Sequence, residues 1–154
     1  MSSKADFTED EWTLVSEAPL QVMVTMFAAG QHGPISTIKE SKAGAMAITN
    51  PGNRGSASAL IAEIIPAAQS KEARHDVGHP KGASIAEIVA AGIAKLEPVA
   101  AALAKLPGDE ATQVGAWLVD IAAAVADAAK GTSDTEREAI AKIAAVFGVP
   151  APTA

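Results

Sequence analysis

The segment that most restricts the fold is the last one, Thr132-Ser133-Asp134-Thr135-Glu136-Arg137-Glu138-Ala139-Ile140, continuing through Ile143 and Phe147 to Gly148 and Pro150. It holds a helix start, a helix face and a helix stop. Ser133 can accept from the backbone N–H of Glu136 while the Glu136 carboxylate reaches back to Ser133, the reciprocal capping box of a helix N-terminus. Ile140, Ile143 and Phe147 then share one apolar stripe. Gly148 suits the left-handed position past the last turn, and Pro150 cannot continue a helix.

The same punctuation recurs upstream. Thr8 and Glu11 form a second box, with Phe7 placed to staple onto Trp12, ahead of the stripe Val15, Ala18, Val22 and Met26 that runs to Gly30. Pro19 kinks that helix or splits it in two. A second helix follows Gly33-Pro34 with Ile35, Ile38, Ala45 and Ile48 inward, and a third covers about residues 56 to 70. Leu60, Ile61, Ile64 and Ile65 make the third apolar over most of its girth, as expected of a central helix. Gln69 to Ala83 is polar and punctuated by Gly78, Pro80 and Gly82, a connection that divides the chain roughly in half. Ser84 caps a stripe of Ile85, Ile88, Val89, Ile93, Leu96, Val99, Leu103 and Leu106 that stays in register past Pro98, as one kinked helix or two abutting ones. Pro107-Gly108-Asp109 breaks it and caps the next helix, in which Val114, Trp117, Leu118, Ile121, Val125 and Ala128 share a face.

The reading is an all-α, compact single-domain bundle of six or seven helices over residues 1–154, with two pseudo-repeated halves about the polar connection as one arrangement. Roughly a quarter of the 154 residues are alanine, the strongest helix former, and there is no tyrosine. Cysteine is absent, which excludes disulfides, thiolate metal sites and cysteine nucleophiles. The net charge of −6 is spread along the chain without a basic face, so nucleic acid is not an expected partner. The start, Met1 to Asp6, lacks the apolar core of a signal peptide, and the apolar windows 18–29 and 116–129 are too short, or too charged, to span a membrane. A soluble cytoplasmic protein is the expectation.

Residues 125–148, Val-Ala-Asp-Ala-Ala-Lys-Gly-Thr-Ser-Asp-Thr-Glu-Arg-Glu-Ala-Ile-Ala-Lys-Ile-Ala-Ala-Val-Phe-Gly, resemble the helical hairpin of the TerB-like, tellurite-resistance-associated proteins. The resemblance covers about a sixth of the chain. It implies a compact all-helical domain of two similar halves and, from the family, an acidic metal-binding cluster in a stress-response setting. The family's motif places an acidic residue just before the hairpin glycine, where this chain has Lys130 before Gly131.

Several constellations could carry chemistry. Asp127, Asp134, Glu136 and Glu138 could converge on a hard divalent cation across the hairpin, although Glu136 is also the capping group. His75 and His79 could give two nitrogens to a metal if their segment were helical, and a hydrated loop is the alternative. Asn53-Arg54-Gly55-Ser56 and Lys81-Gly82-Ala83-Ser84 set a base and a glycine at helix starts, where N–H groups attract anions, without P-loop spacing. Glu63 and Glu87, each in Ile-Ala-Glu-Ile, are buried proton carriers or the solvated edges of their helices. The alanine-rich helix 118–129 is either a dimer or partner interface or central within its own bundle.

The leading expectation is a non-enzymatic interaction module without a cofactor, binding a protein partner or a second copy by helix faces. A divalent-cation binder is the alternative. An enzyme with an unrecognised buried carboxylate is the third.

Overall fold

The computed structural model describes residues 2–30, 34–70, 84–128 and 133–152. Six α-helices occur among them: α1 (Glu9–Gly30), α2 (Pro34–Thr49), α3 (Ser58–Ala68), α4 (Ile85–Leu103), α5 (Glu110–Asp127) and α6 (Asp134–Phe147). Short 3-10 turns at Lys4–Asp6 and Gly55–Ala57 precede α1 and α3, and no strand appears among the described residues. The chain is an all-α bundle.

Local chemistry sets the helix ends. Thr8 Oγ1 accepts from Glu11 N at 3.1 Å and Glu11 Oε1 accepts from Thr8 N at 2.9 Å, so two of the N–H groups left over at the start of α1 are satisfied reciprocally. Phe7 and Trp12 meet with ring centroids 6.0 Å apart. Ser84 Oγ accepts from Glu87 N at 3.2 Å to begin α4. At α6, Ser133 and Glu136 form the expected box, and Gly148 closes the helix at φ 65°, ψ 30°. Asp109 stands at the N-cap of α5, but its Oδ1 accepts from Ser56 Oγ at 2.9 Å and makes no cap bond. There the side chain ties the α3 entry to the α5 entry instead.

Helices α1, α3 and α4 run through Pro19, Pro66 and Pro98 as single elements, so neither Pro19 nor Pro98 splits its helix. Each proline leaves the carbonyl four residues earlier without its helical donor. Burial of the flanking turns holds these helices together despite that cost, with Val15, Ala18 and Val22 around Pro19 and Leu96, Val99 and Ala102 around Pro98.

One contiguous core joins all six helices. Its bulk is Trp117, Met26, Leu60, Leu96, Leu118 and Ile121, none more than 1% exposed. Trp117 also donates its indole N–H to the Ala47 carbonyl at 3.3 Å, which fixes α5 to α2. Helix α1 packs against each of the other five. The expectation of α3 as the central helix is therefore corrected: α3 buries the face of Leu60, Ile61, Ile64 and Ala68, and Ala62 and Glu63 are exposed. The centre is α1 with α5, where Val119, Ala122 and Ala126 are buried alongside the expected stripe. That covers Val119, Ala122 and Ala126 within the bundle, while Ala123 and Ala124 stay half-buried.

Helix α2 also turns differently from the sequence reading. Gly44 and Ile48 face inward, whereas Ala45 is exposed. At Gly44 α2 lies close to α1, and a Cβ there would meet the end of the Met23 side chain, Cε, at 2.7 Å. The side chains of Ile35 and Ile38 lie outside the described residues, as do residues 71–83 of the polar connection.

Close approach is sharpest between α1 and α4. A Cβ on Gly92 would stand 2.1 Å from Thr25 Oγ1, a fully buried hydroxyl that donates to the Gln21 carbonyl at 2.8 Å. In an open helix Gly→Ala stabilises by up to about 1 kcal/mol, but this crossing reverses the sign. Gly92→Ala is expected to destabilise by about 1–3 kcal/mol through overpacking. Thr25→Ala in the same chain removes the obstructing hydroxyl and should return part of that loss, a coupling read from urea unfolding of the two single variants and the double.

Candidate functional site

The apolar stripe of α4 outruns the core. Leu96, Val99, Leu103 and Leu106 are buried, but Ile85, Ile88, Val89 and Ile93 in the N-terminal half stay partly exposed. Helix α6 lies beside that half, and between them opens a groove of about 490 Å³. Ile85, Val89 and Ile93 form its floor at four-residue spacing, so they fall on one line along the helix. Ala86, Ala90 and Ala94 make the adjoining row, exposed and without side-chain bulk. The opposite wall is the first half of α6, with Ala139 buried and Thr135 at the opening.

Charge sits only on the rim. Glu138 and Lys142, one turn apart on α6, pair at 3.0 Å. Glu97 stands at the far end of the α4 wall, exposed, with no ion pair among the described residues. A smaller depression of about 260 Å³ between α1 and α4 is lined by Leu14, Gln21 and Pro98, and one of about 280 Å³ lies beside Phe147 and Ala111.

Three of the four acidic residues that sequence reasoning singled out for a cation, Asp134, Glu136 and Glu138, are held in separate interactions. Asp134 pairs with Arg137 at 2.8 Å and its side chain is almost wholly solvated, while Glu138 pairs with Lys142. Glu136 is fully buried, with Oε1 accepting from Ser133 N at 3.0 Å in the capping box. Asp127 is exposed at the last position of α5. No group of three or more acidic or histidine side chains placed to hold a metal ion occurs among the described residues. His75, His79, Lys130 and Gly131 lie outside them.

The anion candidate at Arg54 is engaged within the fold. Its guanidinium pairs with Asp120 and donates to the Pro51 carbonyl, where it closes the loop between α2 and α3 onto α5. Of the second candidate, Lys81, Gly82 and Ala83 lie outside the described residues, and Ser84 is the α4 cap.

Glu63 and Glu87 are exposed, the solvated edges of their helices, and Glu63 Oε2 accepts from Lys4 N at 2.9 Å. The buried carboxylates are instead Glu40, Glu110 and Glu136. Glu110 accepts from the backbone N–H of Ser2 at 3.0 Å and from the Ser2 hydroxyl, which draws the first residues across the start of α5. Sequence reasoning missed it because an acidic residue in the first turn of a helix ordinarily signals a solvated end complementing the helix dipole. Glu40 gave no signal at all, since it lies among Lys39, Ser41 and Lys42. None of the three buried carboxylates lines the groove.

The Glu11 carboxyl is clearly perturbed by its neighbours. The Lys105 ammonium, followed by the Thr8 backbone N–H, holds it below the usual carboxylate range against a small opposing effect of desolvation. This pair ties the start of α1 to the turn after α4, and Lys105 also lies 5.5 Å over the Phe7 ring.

Comparison with known proteins returned no match to a family model, to a curated protein or to a solved structure.

Two outcomes test these interactions. Because the folded Glu11 carboxyl titrates below its unfolded value, the pair's contribution is complete above the unfolded pKa and fades as pH falls through the folded one. Side-chain ¹³C titration should give Glu11 a midpoint below the usual glutamate value, and Lys105→Met should raise it. Ser133→Ala removes the cap that fixes the groove's α6 wall, and should cost about 1 kcal/mol in thermal unfolding.

Proposed function

We propose that this chain is a non-enzymatic helical interaction module that binds a protein partner in the α4–α6 groove. One observation carries the reading: a groove of about 490 Å³ whose floor is Ile85, Val89 and Ile93, partly exposed although they continue the core stripe of α4. Isoleucine and valine left half in water beside an open cleft gain by being covered, at about 25 cal/mol per Å² of apolar surface removed. The charges are confined to the rim, the usual anatomy of a protein-binding patch with an apolar centre. The TerB-like resemblance of residues 125–148 extends to the α6 wall, and with it the proposal takes in a stress-response setting inside the cell.

The test is quantitative affinity capture with the unaltered chain and two variants. Ala86→Gln/Ala90→Gln fills the groove from exposed helix positions, so the fold is retained, and Met46→Gln alters an exposed side chain on α2, far from it in the sequence and not among its lining residues. A partner retained by Met46→Gln and depleted about tenfold or more by the groove variant is the expected result. An identical partner set for all three overturns the proposal.

A further inference from the structure

The groove's shape and charge go further and specify the class of occupant, an inference that rests on the docking role proposed above. From Ile85 to Glu97 the α4 wall advances by twelve helical rises, about 18 Å, or a little over three turns. Along that length the floor is a straight row of β-branched side chains flanked by a row of alanines. A ridge of side chains therefore fits the channel while its own backbone approaches closely over Ala86, Ala90 and Ala94. An amphipathic helix supplies such a ridge from residues at i, i+3 or i+4, and i+7.

The rim adds a sign. Lys142 is already neutralised by Glu138, which leaves Glu97 as the uncompensated charge of the lining. A second copy of this chain would bring the same acidic rim and the same net charge of −6, and like charges in apposition oppose that pairing. We infer that the groove receives an amphipathic helix of another protein, with an apolar ridge in the channel and lysine or arginine on the flank that meets Glu97.

The experiment uses the full chain and two fluorescein-labelled helical peptides of about four turns. Both carry leucine at the ridge positions; one has lysine and arginine on its flanks, the other glutamate. Fluorescence anisotropy should show the basic peptide binding about tenfold more tightly than the acidic one, with the difference shrinking as salt rises. Ala86→Gln/Ala90→Gln should weaken the basic peptide about tenfold. Glu97→Lys, at an exposed site that leaves the fold intact, should weaken it about threefold and strengthen the acidic peptide.

Equal binding of both peptides, unchanged by Glu97→Lys, overturns the basic-helix inference while leaving the docking role standing. Failure of both peptides, with a captured partner still lost in the groove variant, overturns the helical occupant alone. Failure of both together with an unchanged partner set overturns the docking role as well. A dimer in sedimentation equilibrium that Ala86→Gln/Ala90→Gln dissociates assigns the groove to a second copy and overturns the inference.

Discussion

The contact on which the bundle depends is the crossing of α1 and α4 at Gly92 and Thr25, where the two helices leave no room for a methyl group. Helix α1 touches each of the other five helices among the described residues, so its distance from α4 sets where they can lie. The same device recurs at Gly115, where a Cβ would meet Phe147 Cβ at 2.7 Å, and at Gly44 against Met23. In each pair a glycine on one helix accepts a larger side chain from its neighbour. The chain has few aromatics to fill wide gaps, and it reaches close packing by bringing backbones together instead. Dispersion falls off steeply across even a small gap, so close approach recovers in contacts what small side chains lack in area.

This device explains which parts of the fold were legible in the sequence. Caps were readable because their chemistry closes within four residues: Thr8 with Glu11, Ser84 with Glu87, and Ser133 with Glu136 all form. Long stripes were readable where they end in the core, as Val15, Ala18, Val22 and Met26 do. Helix order in space was not. The short α3 is on average more hydrophobic than α1, yet α1 is the hub, since centrality follows from contacts between distant segments and not from local hydrophobicity. On α2, Ile48 is inward as expected, and Ala45 alone was misplaced among the described side chains. Ala45 counts as apolar and Gly44 does not, yet it is Gly44 that faces inward, close against the end of the Met23 side chain.

The groove arises from a similar mismatch between local pattern and tertiary extent. From Ile85 to Leu106 the stripe reads as uniform, and nothing within it marks the point where the core ends. That point is set by the helices packed alongside, which bury Leu96, Val99 and Leu103 but leave the first two turns of α4 partly exposed. Exposed positions along the same turns are alanine rather than lysine or glutamate at 86, 90 and 94. A helix edge facing only water has no need to be apolar on those positions, and long charged side chains there would cover the exposed isoleucines. Their absence from this row keeps the channel open.

Burial also separates the carboxylates into two sets with different roles. Glu110 and Glu136 are both buried and both accept from the backbone N–H of a residue at or before a helix start, Ser2 for one and Ser133 for the other. Such a carboxylate organises chain entry, and removing it would strand a buried donor at a cost of about 1–3 kcal/mol. The exposed set, including Asp120, Asp134 and Glu138, is distributed among arginine and lysine partners on the surface. Exposed pairs of this kind contribute little to stability, so they constrain the fold less than the two buried groups do. Glu97 belongs to neither set, being both on the surface and without an ion-pair partner among the described residues. Placed at the end of an apolar channel, it is the lining charge still available to a bound molecule.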